Sequence, residues 1–155
     1  YYYKKPASDI FIGISTQVTY KKFSLGITGH GAIGSYLYNN FNSNNGVLRQ
    51  IKNPINFIGN ASANYQESNF SNNQYLSDYY IENASFFRLD NINLGYNWGK
   101  IMKGKASLRI AASVQNVFII TKYKGLDPEN SSDTGVDNNI YPRPRTFSLG
   151  FNLDF

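Results

Sequence analysis

The dominant spacing of apolar residues along this chain is two, the repeat of a β-strand with one apolar face. From Ile10, the residues Ile12, Ile14, Thr16, Val18 and Tyr20 fall on one face, and Phe11, Gly13, Ser15, Gln17 and Thr19 on the other. Lys21 and Lys22 then form a short polar turn. A second strand is predicted with Phe23, Leu25, Ile27, Ile33 and Leu37 on one face and Ser24, Gly26, Thr28, His30 and Gly34 on the other. The pattern lapses from residue 39 to about 84, a stretch rich in Asn, Ser, Gln and Tyr with Pro54 inside it. Connections are usually about two to six residues, so one this long points to function or mobility.

Alternation resumes after Ser85. Ile92, Leu94, Tyr96 and Trp98 face one way, and Asn91, Asn93, Gly95 and Asn97 the other. A basic turn from Gly99 to Lys105 leads into Leu108, Ile110, Ala112 and Val114, interleaved with Arg109, Ala111, Ser113 and Gln115. A second long loop covers 122–143. The last strand reads Phe147, Leu149, Phe151, Leu153 and Phe155 against Ser148, Gly150, Asn152 and Asp154. Five strands are predicted, joined by short and long connections in alternation, with no helix signal.

Two-faced strands suit a soluble sandwich, where the apolar face is the core, or an outer-membrane barrel, where it meets lipid. Three features favour the barrel. The strands have about ten residues or more, enough to cross the hydrocarbon when tilted. Short and long connections alternate, as periplasmic turns and extracellular loops do. Aromatics gather at strand ends: Tyr20, Phe23, Tyr96 and Trp98 fit an interfacial belt. Five strands would leave two open edges, and unpaired backbone groups in lipid cost several kcal/mol each. The chain is therefore expected to be the terminal part of a larger barrel, all of 1–155 belonging to that barrel rather than to an independent domain. A soluble carbohydrate-binding β-sandwich and a small structural or adhesive outer-membrane barrel are the alternatives.

Composition fits this picture. The chain has 155 residues, of which 16% are aromatic and 16% charged, against roughly 25% charged in an average soluble domain. Its polarity comes mainly from 21 Asn and 15 Ser. The longest apolar runs are about four residues, too short for a membrane helix. With no Cys, disulfides, thiolate metal sites and thiol nucleophiles are excluded. The net charge of +5 comes from Lys and Arg scattered in ones and twos, which gives no nucleic-acid signature.

Candidate chemistry is sparse. Gly29-His30-Gly31-Ala32-Ile33-Gly34 matches G-x-G-x-x-G, but it lies within an alternating strand and not between a strand and a helix. Its glycines suit a strand that bends or passes close to another surface. His30 is the single histidine and is expected to face a polar lumen, with no metal or triad around it. Asp127, Glu129, Asp133 and Asp137 loosely suggest Ca²⁺, yet Ser132 and Asn138 stand where an EF-hand needs Gly and Glu. No catalytic, metal or cofactor site is predicted, and the chain is not expected to be an enzyme. Arg88, Asp90, Asn91, Asn93, Asn97, Arg109 and Gln115 are expected to point inward with His30. Tyr65, Tyr75, Tyr79 and Tyr80, set among amides in the first long loop, are candidates for stacking on sugar or for contact with a partner.

Three segments resemble a known family. They are Tyr79-Tyr80-Ile81-Glu82-Asn83-Ala84-Ser85-Phe86-Phe87-Arg88-Leu89-Asp90-Asn91-Ile92-Asn93-Leu94-Gly95-Tyr96, Leu108 through Phe118 with Thr121 through Glu129, and Gly135 through Phe151. In content and order they resemble SusC/RagA-type TonB-dependent outer-membrane transporters. The resemblance implies a 22-stranded plugged barrel in the outer membrane of a Gram-negative, Bacteroidota-type bacterium. It also implies uptake of glycans or peptides, a SusD-like surface lipoprotein as lid, and energy from TonB through a segment absent from this sequence. Both long loops would be extracellular. Phe147, Leu149, Phe151, Leu153 and Phe155 resemble the C-terminal signal read by the outer-membrane assembly machinery.

Overall fold

A computed structural model describes residues 4–52, 59–129, 135–138 and 141–155. The chain divides into two compact units. One is built from 11–32, 87–120 and 143–155, the other from the N-terminal segment, 33–86 and 121–142.

The first unit holds the five predicted strands. They are β1 (Ile10–Tyr20), β2 (Phe23–Ile33), β5 (Phe86–Ile101), β6 (Ala106–Thr121) and β8 (Thr146–Asp154). They form one sheet in the order β1-β2-β5-β6-β8. Sequence order is preserved across the sheet, so the strands form an up-and-down meander. Register follows the apolar pattern, because a one-residue slip would turn each side chain to the wrong face. In the antiparallel β6–β8 pair, Leu108, Ile110, Ala112 and Val114 stand opposite Leu153, Phe151, Leu149 and Phe147. Arg109, Ala111, Ser113 and Gln115 stand opposite Asn152, Gly150, Ser148 and Thr146. The apolar row lacks a cover: Phe147 is 72% exposed and Phe151 64%. The outermost strands, β1 and β8, each have a single strand neighbour in this sheet.

The second unit shows that the two long loops, 39–84 and 122–143, contain short elements of their own. Between β2 and β5 lie β3 (Tyr36–Asn39), α1 (Asn40–Asn45), α2 (Leu48–Ile51), α3 (Tyr65–Ser68), a 3-10 turn at Asp78–Tyr80 and β4 (Ile81–Asn83). The other long connection contributes β7 (Val136–Asp137). The three strands form a sheet in the order β4-β3-β7. β3 is antiparallel to β4 and parallel to β7. The two long connections are thus hydrogen-bonded into one body. Its buried centre includes Leu37, Ala84 and Tyr123, with Val47 and Tyr80 fully buried beside polar Asn39, Ser43 and Asp137.

The predicted second strand also stops earlier than its alternation suggests. Gly34 has φ of +89°, which ends β2 at Ile33 and sends Leu37 into β3. Three short helices appear where no helix was predicted. Asn39 shows why the first one forms: its side chain accepts a 3.0 Å hydrogen bond from the Asn42 N–H, capping α1. Helices of four to six residues carry too little apolar periodicity to be seen in sequence. Pro54 and Asp133 lie outside the described residues.

Candidate functional site

The polar face of the five-stranded sheet is a shallow concavity of about 520 Å³. Its floor is small: Ser15, Ser24, Gly26, Ser113, Ser148 and Gly150 contribute to it, with Asn93 and Arg109. Two glycines face these neighbours, and one of them is crowded. A Cβ on Gly95 would collide with the Ser24 hydroxyl and lie 3.6 Å from the Arg109 guanidinium. A Cβ on Gly26 would sit 3.8 Å from Asn93 Cβ.

Across β2 and β5, Ser24 neighbours Gly95 and Gly26 neighbours Asn93, and farther along His30 Nδ1 meets Asp90 Oδ2 at 2.7 Å. The side-chain oxygen of Asn91 is buried and, among the described residues, has no hydrogen-bond partner. Gly29 is needed here, since a Cβ would stand 2.8 Å from the Arg88 carbonyl and 3.3 Å from the Phe87 ring. The close surface expected from the glycine run is therefore the adjacent strand.

Arg88 is buried, and its Nη1 donates to Asn116 Oδ1 at 2.6 Å. Asn116 has φ of +52°, an irregularity in the sheet. Its amide nitrogen donates to the carbonyls of Arg143 at 2.7 Å and Pro144 at 3.3 Å. This network ties β5 and β6 to the segment that enters β8. Asn97 is exposed and accepts from the Gly99 N–H at 3.0 Å. Gln115 is exposed opposite Thr146.

The aromatic residues near the short turns come together. Phe23 and Tyr96 have ring centroids 4.7 Å apart, and Tyr96 meets Trp98 edge-on at 5.9 Å. Tyr20 is exposed at the end of β1.

In the second unit, the four candidate tyrosines separate. Tyr80 is fully buried, packed edge-on against Tyr79 and Tyr38, so its ring belongs to the core and is not a contact surface. Its hydroxyl is pushed up from its ordinary pKa by burial first and the adjacent Tyr79 and Tyr38 second. Tyr79 is half-exposed and lines a pocket of about 290 Å³ with Asn64, Glu82, Asn83, Lys122 and Lys124. Tyr75 is exposed, and Tyr65 lies partly buried in α3.

Glu82 accepts from the Lys124 N–H at 2.9 Å and from Asn39 Nδ2 at 3.3 Å. Burial nevertheless dominates and raises its carboxyl above the usual range. The Lys124 ammonium is raised by its hydrogen bond to Glu67. Tyr123 donates its hydroxyl to Asp137 Oδ2 at 2.7 Å, both residues being buried. Burial first and Asp137 second push its phenol strongly upward. Asp127 is buried, and its carboxylate receives the Glu129 N–H at 2.9 Å. Among the described residues no group of three or more potential metal ligands forms.

Sequence reasoning missed the His30–Asp90 and Tyr123–Asp137 pairs. The first joins positions 60 apart and the second positions 14 apart, and strand pairing or loop packing brings them together.

This geometry defines the wall of a β-barrel: a meander with an exposed apolar face, a polar concave face and two open edges. Comparison with known proteins agrees. No family model matches the chain. Over its whole length the chain is 42% identical to the TonB-dependent receptor SusC of Bacteroides thetaiotaomicron, spanning 16% of that protein. It is 25% identical over 97% of its length to the TonB-dependent receptor P3 of Formosa agariphila, spanning 17% of it. Among solved structures, the RagAB peptide importer in its closed-closed state matches 98% of the chain and 18% of the solved chain. That match has a TM-score of 0.70 and 25% identity. The chain is a segment of a TonB-dependent receptor of the SusC/RagA type. It spans about a sixth of the length of the curated relatives it matches.

Proposed function

We propose that the chain is the C-terminal wall of a plugged outer-membrane barrel that imports glycan or peptide oligomers. The observation that carries this reading is the β6–β8 register, which sets Leu108, Ile110, Ala112 and Val114 against Leu153, Phe151, Leu149 and Phe147 in one row whose β8 members are exposed. Lipid is the solvent in which such a face is stable, and the remaining strands of the barrel would satisfy the edges of β1 and β8. The polar floor would then line the lumen and meet the plug, with Arg88, Asp90, Asn91, Asn93, Asn97, Arg109, Gln115 and His30 on that side. The second unit would be extracellular. Tyr65, Tyr75 and Tyr79 would be its aromatic contacts for substrate or for a SusD-like lipoprotein lid. TonB would supply energy through a segment outside this chain. No step of this reading requires a catalytic group.

Topology is the direct test. In cells making the full-length receptor, a cysteine replacing Tyr75 should react with a membrane-impermeant maleimide. A cysteine replacing Lys103 should react only after the outer membrane is permeabilised. The opposite labelling pattern would overturn the reading. Deletion of the receptor should also abolish growth on its oligomer, as should loss of TonB.

A further inference from the structure

We infer that the two short turns form a binding surface for anionic phospholipid headgroups. Lys21 and Lys22 lie between β1 and β2, and Lys100, Lys103 and Lys105 lie at the β5–β6 connection. The two connections are neighbours. Lys22 Nζ donates to the Trp98 carbonyl at 3.2 Å, and the Asn97 N–H donates to the Lys22 carbonyl at 2.8 Å. All five lysines are exposed. Among the described residues, none of them forms an ion pair with a carboxylate.

Five of the chain's 15 Lys and Arg stand in these two adjacent turns, and neither turn contains an Asp or Glu. Backbone geometry reinforces the point. Lys21 (φ 53°) and Lys103 (φ 59°) occupy left-handed positions that Gly or Asn would fill with less strain.

The surroundings name the partner. Phe23, Tyr96 and Trp98 cluster beside these turns, and aromatic belts mark the level of the lipid headgroups. Lys100 follows Trp98 by two residues at the end of β5. A cation just beyond the belt stands at the depth of headgroup phosphates. Basic residues beside an anionic membrane surface gain about 1 kcal/mol each, roughly fivefold in local lipid concentration. An acidic protein partner would need no aromatic girdle at its border.

This inference rests on the barrel-wall reading, and its test separates the two. The full-length receptor, carrying Met102→Cys as its one dye-labelled cysteine, is reconstituted in phosphatidylcholine vesicles. Energy transfer from the dye to headgroup-labelled phosphatidylglycerol or phosphatidylcholine reports local lipid. We expect phosphatidylglycerol to be enriched at least about fivefold at low salt and less at high salt. Replacing all five lysines with glutamine should abolish the enrichment, and replacing them with arginine should keep it. Heat-modifiable migration in gels shows that each variant still forms a barrel. Equal transfer to both lipids in a folded wild-type receptor, or enrichment that survives in the glutamine variant, would overturn the inference and leave the barrel reading intact. Failure of the wild-type receptor to form a heat-modifiable barrel would instead overturn the reading beneath it.

Discussion

Removing one hydroxyl should loosen β7 from β3. Tyr123→Phe keeps the ring that packs with Leu37 and Ala84 but deletes the donor 2.7 Å from Asp137 Oδ2. Both residues are buried, so water does not replace the lost partner freely. A hydrogen bond to a charged group contributes about 1.5–3 kcal/mol. Asp137 sits in β7, whose pairing with β3 joins Tyr38 to Val136 and Asn39 to Asp137. That ladder pairs two residues of each strand. In the full-length receptor, hydrogen exchange at the Tyr38 amide, which donates to the Gly135 carbonyl at 2.9 Å, is the local readout. Exchange should speed up by roughly 10- to 150-fold, the same energy expressed as a local opening equilibrium. The amides of β6 should not change. Unaltered exchange at Tyr38, or an equal rise throughout the barrel, would refute the reasoning. The wild type adds a pH signature. Burial and Asp137 raise the Tyr123 pKa above its ordinary value of 10.0. The unfolded phenol therefore loses its proton first, and stability is lost as pH rises above about 10. Tyr123→Phe should lack that component.

Three further outcomes follow from the sheet. Gly29→Ala places a methyl against the Arg88 carbonyl and should destabilise the barrel by about 1–3 kcal/mol, read as a lower yield of the heat-modifiable form. Asn116→Gly keeps the φ of +52° but loses the side-chain bonds to Arg88, Arg143 and Pro144, at about 1 kcal/mol per bond. Asn116→Ala adds backbone strain and should be the more damaging of the two; the reverse order in thermal unfolding would contradict this account. Deleting Phe155 should lower the amount of assembled barrel without lowering synthesis, and normal protease-resistant barrel in that variant would exclude an assembly role.

The five long strands were legible because each carries its own alternation, and the apolar face fixes register over nine β6–β8 pairs. The turns at Lys21-Lys22 and Gly99–Lys105 were legible from polar residues and glycine. The interior of the long connections was not. β7 has two residues and pairs in parallel with β3 nearly a hundred positions earlier, so no local pattern announces it. Asn39 reads as loop composition, yet it caps α1 and contacts Glu82. The His30–Asp90 contact was equally silent, since only the pairing of β2 with β5 brings the two together. Tyr80 illustrates the limit for site residues. In sequence it is equivalent to Tyr79, but one ring is buried and the other lines a pocket.

The central claim is that one face of this sheet meets lipid and the other meets water. Nitroxide labels placed one at a time at residues 147–153 of the full-length receptor, reconstituted in bilayers, test it most directly. Collision with oxygen, which concentrates in lipid, should peak at 147, 149, 151 and 153. Collision with a water-soluble nickel chelate should peak at 148, 150 and 152, giving a period of two in opposite phase. Equal access of both reagents at all seven positions, or the inverse phase, would contradict the account.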